Sequence, residues 1–394
     1  MKKPFSIGAI FSPMLSALTG RRNLALEQGF QHVSQDSENE FVLGEDYQYY
    51  FYLSGIRGTP LAESEDEYYF IRDGEYICSK NKKTGKIVPL CSKWGCSHGS
   101  SNCSAYVGLS HTLNYYHGKL YFYACDSRIY EMDSSSGLRK ELLCLQENPS
   151  FMMVHRGYLY LSFTDYQMEE KQYTEEQMKN MCYRAERYRL DPWDGKPEIV
   201  YEKKGEFGRI RAMFAYGNWA YFIVSGSAEI VIYDLLDHTQ TKIPDTIGCP
   251  AIINGNLLYF KTVKEQQDDM DQEEKVEQKR KNRMVLAKPD GTPIRETEDV
   301  ETYGYLYGGS QLLAIDDSDN LTFFYFPEPG IRLYDKDMNL IREIKTKNRD
   351  MPSLGMNEDY FFYENRADNV LWVIDLHKLD DPNLKGEPFF VTEK

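Results

Sequence analysis

The stretch His117-Gly118-Lys119-Leu120-Tyr121-Phe122-Tyr123 runs on into Arg128-Ile129-Tyr130-Glu131-Met132-Asp133, then Ser136-Gly137 and Glu141-Leu142-Leu143. His-Gly supplies the positive φ of a tight hairpin turn. Leu-Tyr-Phe-Tyr is an aromatic strand, the run ending in Asp133 is its partner, and a third turn leads to a short closing strand. With the strand that enters at His117, this makes four strands in about 40 residues, the size of one blade of a propeller.

The phrase recurs along the chain. Its aromatic strand returns at Tyr68-Tyr69-Phe70, Leu159-Tyr160-Leu161, Ala220-Tyr221-Phe222, Leu258-Tyr259-Phe260, Phe323-Phe324-Tyr325 and Tyr360-Phe361-Phe362. Partner strands ending in Asp follow at Glu229 to Asp234, Ile331 to Asp335 and Leu371 to Asp375. From one middle residue to the next, the steps are 52, 39, 61, 38, 65 and 37 residues. The bare unit is therefore 37 to 39 residues, and the longer steps are that unit with insertions. Asp-Gly, His-Gly, Tyr-Gly and Asn-Gly mark the turns. The expected fold is all-β: a β-propeller of four-stranded antiparallel blades. Seven blades are expected, with six and eight as the alternatives. Residues 1–40 read as a leader and linker, and 41–394 as a single propeller domain. Phe41 to Ser54, with five aromatics between Tyr47 and Tyr52, is expected to supply a strand that closes the ring or covers an outer edge.

The composition agrees. The 394 residues include 31 Tyr and 20 Phe, side chains that fit a pleated, half-buried surface. An apolar fraction of 41% excludes full disorder. A net charge of −15 argues against nucleic acid and against charge-driven binding to an anionic membrane.

The insertions can be assigned to a face. In a four-stranded blade the 4–1 and 2–3 connections emerge on one side of the disc, and the 1–2 and 3–4 turns on the other. Ser92 to Ser104 is a 4–1 connection. Tyr166 to Cys182 and Lys264 to Asn282 are 2–3 connections, and Thr302 to Ser310 is another 4–1 connection. All four fall on one side. Thr174-Glu175-Glu176-Gln177 fits a capping box. Gln266 to Lys281 runs from acidic residues to Lys279-Arg280-Lys281, matching a helix macrodipole. Two short helical insertions are therefore expected, on a shared face suited to binding; for the charged one, a solvated surface excursion is the plain alternative.

Cys91-x4-Cys96-x-His98-x4-Cys103 is the sharpest local motif. Three thiols and an imidazole in a Gly/Ser-rich loop are a donor set for structural zinc; a disulfide and free thiols are the alternatives. His117 and His155 read as turn residues on the side opposite the insertions. Asp316-Asp317-Ser318-Asp319-Asn320 is acidic enough for calcium but lacks the central Gly of a calcium loop, and also reads as a hairpin turn. There is no nucleophile elbow, His-Glu-x-x-His, phosphate loop or dinucleotide fingerprint, so no catalytic residues are assigned.

At the N-terminus, Lys2 and Lys3 precede an uncharged run from Pro4 to Gly20. These are parts of an export signal; a leader on a cytoplasmic protein is the alternative. Leu18-Thr19-Gly20 resembles a bacterial lipoprotein box, but Arg21 replaces the lipid-bearing Cys, which puts membrane attachment in question.

Pro89-Leu90-Cys91, Cys96-Ser97-His98 and Cys103-Ser104-Ala105-Tyr106 resemble matching motifs in uncharacterised propeller lipoproteins of Gram-positive bacteria. Gly157-Tyr158-Leu159-Tyr160, continuing to Phe163-Thr164-Asp165, is more loosely similar to propellers of the low-density-lipoprotein-receptor (YWTD) type. The resemblance spans roughly residues 45 to 394. It implies a surface-attached, non-enzymatic propeller. The function expected is an extracytoplasmic propeller that binds a protein or glycan on its inserted-loop face. Two alternatives stand beside it: a carbohydrate-active hydrolase or lyase using funnel carboxylates, and a structural subunit of an envelope complex.

Overall fold

The computed structural model describes residues 41–48, 61–164, 174–263 and 281–297, apart from a few short gaps, and then the strands of the C-terminal part up to residue 389. The described residues form seven four-stranded antiparallel sheets, each made of four consecutive strands in simple meander order. Every aromatic run read from the sequence is the second strand of its sheet: Glu67–Arg72, Lys119–Tyr123, Tyr158–Thr164, Trp219–Ser225, Asn256–Val263, Leu321–Tyr325 and Tyr360–Asn365. A second strand lies inside its sheet, and where burial is described the neighbouring sheets pack on both of its faces. In Trp219–Ser225 all five interior residues are buried. That explains why these runs are continuously apolar rather than alternating.

The turns follow the chemistry of their residues. His117-Gly118 and Arg156-Gly157 both carry two consecutive positive φ angles, the pattern of a type I′ hairpin. In the fourth sheet Tyr216 pairs with Trp219. The turn there is Gly217-Asn218, one residue beyond the expected Tyr-Gly.

Successive sheets pack through aromatic and aliphatic clusters. Tyr201, on the last strand of the third sheet, stacks on Phe222 of the fourth with centroids 5.5 Å apart. Leu61, Tyr68, Phe70 and Cys78 of the first sheet share a cluster with Phe362, Val373 and Phe389 of the seventh. The Phe389 ring meets Tyr68 and Phe362 edge-on at 5.2 and 5.3 Å. Lys80 donates to the Phe389 carbonyl at 2.5 Å. Burial of one Phe is worth about 2–3 kcal/mol, and edge-on ring pairs add about 1 kcal/mol. The last sheet therefore packs on the first by side chains. The architecture is propeller-like.

The expectation that Phe41 to Ser54 supplies a strand is corrected for its described part. Residues 41–48 form a turn and an extended strap, and 49–54 lie outside the described residues. A strand needs a free ladder edge, whereas this segment is bonded to hairpin turns. His117 N–H donates to the Gly44 carbonyl at 3.1 Å, and Arg156 N–H to the Glu45 carbonyl at 2.8 Å. Gln48 and the Glu63 backbone exchange two bonds at 2.6 and 2.9 Å. The strap thus touches the first, second and third sheets at their 1–2 turn ends. Residues of the third sheet that hold the strap also reach the fourth: Arg156 Nη1 and His155 Nε2 donate to Asn218 Oδ1 and to the Gly217 carbonyl at 2.9 and 2.8 Å.

The insertions fall at the expected connections, with corrections at their ends. Helix Glu175–Asn180 is present and short. Cys182 belongs to the strand Cys182–Leu190, and Lys281 and Asn282 to the strand Lys281–Ala287. Their backbones continue the ladder, with Cys182 opposite Lys204 and Lys281 opposite Val263. A helix running to Lys281 is therefore excluded at that residue. The rest of the third insertion, the Thr302 to Ser310 connection and the Asp316–Asn320 turn lie outside the described residues.

Candidate metal centre

The cysteine loop leaves the first sheet after its last strand, Ile87–Pro89. Tight turns carry it onward: Cys96 N–H donates to the Lys93 carbonyl at 3.3 Å, Cys103 N–H to Ser100 at 3.0 Å, and Tyr106 N–H to Cys103 at 3.1 Å. Gly95 and His98 take positive φ angles of 69° and 54°. The two ends of the loop are tied by Ser104, whose Oγ accepts from Ser92 N–H at 2.8 Å and lies 3.1 Å from Ser92 Oγ. Beyond Ser104 the chain runs back along the first sheet. Ile77 N–H donates to the Ala105 carbonyl at 2.9 Å and Val107 N–H to Glu75 at 2.7 Å. Tyr106 bridges to Tyr76, with their rings 5.3 Å apart and edge-on.

The loop is a 4–1 connection by topology, but its base leans on the rim of the second sheet. A Cβ on Gly137, in the 3–4 turn of that sheet, would sit 2.9 Å from the Leu90 carbonyl carbon and oxygen and 3.1 Å from Ser92 N. Arg139 Nη1 donates to the Tyr106 carbonyl at 2.8 Å.

Within this frame Cys91, Cys96, His98 and Cys103 turn their ligand atoms toward one another, all within 4.8 Å. His98 Nδ1 lies 3.4 Å from Cys103 Sγ. Cys103 is buried and the other three are half-buried. Burial by itself raises the Cys91 thiol. Hydrogen bonds from the Ser104 hydroxyl and from backbone N–H groups of Lys93 and Ser104 outweigh it and bring the group down to about 6. Burial pushes Cys103 up to about 11, and the neighbouring thiols of Cys91 and Cys96 add to the rise. The set can hold a metal ion. It is the only such group among the described residues. None of the seven cysteines described, these three included, is joined in a disulfide among the described residues.

The two histidines read as turn residues have separate fates. His117 sits in its turn, exposed, stacked on Tyr116 at 4.2 Å and paired with Glu45. His155 ends the strand Phe151–His155 and is fully buried. Its Nδ1 accepts from Tyr47 N–H at 3.0 Å. The proton is therefore on Nε2, which donates to Gly217. Burial lowers its pKa to about 4, against the raising effect of Asp46. Arg156 grips Asp46 through Nε at 2.6 Å and Nη2 at 3.4 Å, and the Asp46 carboxylate also accepts from Val42 N–H at 2.8 Å. An open cavity of about 550 Å³ beside this network is lined by Val42, Glu45, Tyr116, Arg156, Asn218 and Leu236. Sequence reasoning missed Asp46, Arg156 and Ser104. An isolated Asp or Ser carries no pattern that points to a partner many residues away.

No family model matches the chain, and no curated protein does. Among solved structures it is similar to BamB from Moraxella catarrhalis, at 10% identity and a TM-score of 0.44 over 82% of this chain and 84% of that one. It is similar to a streptogramin B lyase at 12% identity and 0.42, over 82% and 90%. It is also similar to the computationally designed Ika8 protein at 10% identity and 0.47, over 85% and 90%. These likenesses are to β-propeller proteins and concern the fold alone, which here rests on the chain's own seven meander sheets.

Proposed function

We propose that the chain is a seven-bladed, non-catalytic propeller that works outside the cytoplasm and binds a protein or glycan on its inserted-loop face. One observation carries the choice of face. On the opposite side the strap 41–48 lies across three sheets, and Asp46, Gln48 and the Tyr47 N–H are already bonded there. By the strand order the long 2–3 connections emerge on the other side, and on helix Glu175–Asn180 there Glu176, Lys179 and Asn180 are exposed. The seven consecutive sheets support the blade count, and packing of Phe389 against the first sheet supports a closed ring. The charged run Lys2-Lys3 before an uncharged stretch supports export.

Site-specific photocrosslinking in the cells that make the protein tests this reading. A crosslinker at Lys179, on the helix, should give a discrete adduct. One at Ser135, on a 3–4 turn, should give none. Removing 166–181 and 264–280 spares the strands, and should abolish the adduct from a second crosslinker in the remaining connections without loss of fold. Equal adducts from both sides, or capture unchanged by the deletions, would reject the assignment.

A further inference from the structure

We propose that Cys91, Cys96, His98 and Cys103 bind a zinc ion, and that this ion fastens the connection between the first two sheets to the rim of the second. The donor set points to the ion. Three thiols and one imidazole form a soft to borderline set, which selects zinc over the hard cations that prefer oxygen. No carboxylate belongs to the group.

The distances fit. Tetrahedral zinc with Zn–S of about 2.3 Å and Zn–N of about 2.0–2.1 Å requires S···S edges of about 3.8 Å and S···N edges of about 3.6 Å. The four ligand atoms lie within 4.8 Å of one another, and the His98 Nδ1 to Cys103 Sγ edge is 3.4 Å. Closing on the ion takes a contraction of about 1 Å at most. A disulfide would use two of the thiols and give no reason for the third thiol and the imidazole to converge on them.

Donors to sulfur are already in place. Lys93 N–H and the Ser104 hydroxyl each lie 3.4 Å from Cys91 Sγ. Such outer hydrogen bonds orient metal ligands and stabilise thiolates. Apolar packing supplies little of the loop's order. Its one large apolar side chain, Trp94, is fully exposed. In a segment of this kind the free energy of metal binding becomes free energy of folding.

The base of the loop has no room to drift. Leu90 and Ser92 close over Gly137, while Tyr106 is bridged to Tyr76 and held by Arg139. An ion that joins Cys91 to Cys103 therefore fastens the part of the loop against the second sheet to the part against the first. Four protein ligands leave no open coordination position, so the role is structural.

The test uses the full chain, prepared with reductant, loaded with zinc and desalted. One zinc per chain is expected, along with the intense visible bands of tetrahedral thiolate-bound cobalt on exchange. Cys96→Ser and His98→Ala should each weaken metal retention by about tenfold or more, whereas Cys125→Ser should not. Withdrawing the metal with a chelator should lower the emission anisotropy assigned to Trp94 by difference from Trp94→Phe. Absence of zinc, or an octahedral cobalt spectrum in the wild-type chain, overturns the site. Because the cobalt spectrum is read on the wild-type chain, a variant that misfolds does not obscure the outcome. Zinc bound at one per chain with Trp94 anisotropy unchanged on its removal overturns the fastening role while leaving the site standing.

Discussion

The strap 41–48 and the cysteine loop 91–106 are both irregular segments laid across regular sheets, yet they are secured in different ways. The strap draws its polar partners from the protein, the buried Tyr47 hydroxyl apart, which has none among the described residues. Asp46 is met by Val42 and Arg156, His155 uses both ring nitrogens, and Gln48 is paired twice with the Glu63 backbone. The cysteine loop is tied at its ends by Ser92 and Ser104 but gathers four ligand atoms that mostly face one another. Buried polar groups need partners. Asp46, Gln48 and His155 at the strap have found their partners in the chain, whereas the cysteine loop gathers a donor set that could hold a metal ion. The difference separates a structural clasp from a candidate metal centre.

The largest expected effect breaks the strap. Asp46 is 1% exposed and carries the Arg156 ion pair. Asp46→Ala leaves a partly buried guanidinium without its carboxylate, and Val42 N–H without its acceptor. A loss of about 3 kcal/mol or more in unfolding free energy is expected, read from denaturant titration. The same change should leave metal retention by the cysteine loop untouched, since the two segments share no contact in the described hydrogen bonds. Equal loss of both would show that the comparison is wrong and that the two segments fold as one unit.

The second effect is a pH dependence confined to the strap. Folded His155 titrates at about 4 rather than 6.5 because burial penalises its charged form; Asp46, 3.6 Å away, and Arg156 are the charged groups that face it. As pH falls, the unfolded chain takes up this proton first. The contribution of neutral His155 is complete above about 6.5 and is lost between about 6.5 and 4, reaching about 3 kcal/mol. Urea midpoints across that window should fall in the wild type and flatten in His155→Gln. A wild-type profile no steeper than the variant's would remove the burial argument.

How far these features could be read in advance follows from sequence distance. Each aromatic strand is a local pattern of a few residues with its own turn signal, so all seven were legible. The ligands of the cysteine cluster lie within thirteen residues of one another and were legible for the same reason. The clasp was not, because Tyr47 meets His155 across 108 positions and Asp46 meets Arg156 across 110. Packing of the last sheet on the first was hidden likewise: Lys80 and Phe389 are 309 positions apart. Topology placed the cysteine loop on the inserted-loop side, but only the structure shows its base folded against Gly137. That contact depends on the twist between neighbouring sheets, which no local pattern encodes.

A third, smaller effect tests that fold-back. Gly137 has φ of +67° and backbone atoms of Leu90 2.9 Å from a would-be Cβ. Gly137→Ala should cost about 1–3 kcal/mol, from the strained φ together with the displaced loop base. Because the displaced atoms flank Cys91, metal retention should fall with it, in contrast to Asp46→Ala. A loss of stability with full metal retention would place the cluster independently of the rim.

The smallest effect concerns Ser104, which sharpens the comparison because it serves both as a clasp and as a neighbour of the metal ligands. Its hydroxyl oxygen accepts from Ser92 N–H at 2.8 Å while the hydroxyl faces Cys91 Sγ at 3.4 Å. Ser104→Ala removes the hydroxyl's bonds to Ser92 and Cys91 at a buried site, a loss of about 1–2 kcal/mol in unfolding free energy read from the denaturant midpoint. It also strips the largest influence holding the Cys91 thiol down near 6, so that thiol should rise. The rise should appear as slower alkylation of Cys91 by iodoacetamide near neutral pH in metal-free protein, followed by peptide mass mapping. In zinc-loaded protein the same change should weaken retention by about tenfold. Ser104→Thr keeps the hydroxyl and should restore both readings if the hydroxyl is responsible. Were Ser104 only a loop tie, alanine would lower stability but leave alkylation and retention where they were. The cysteine loop would then be secured as the strap is, by hydrogen bonds within the chain.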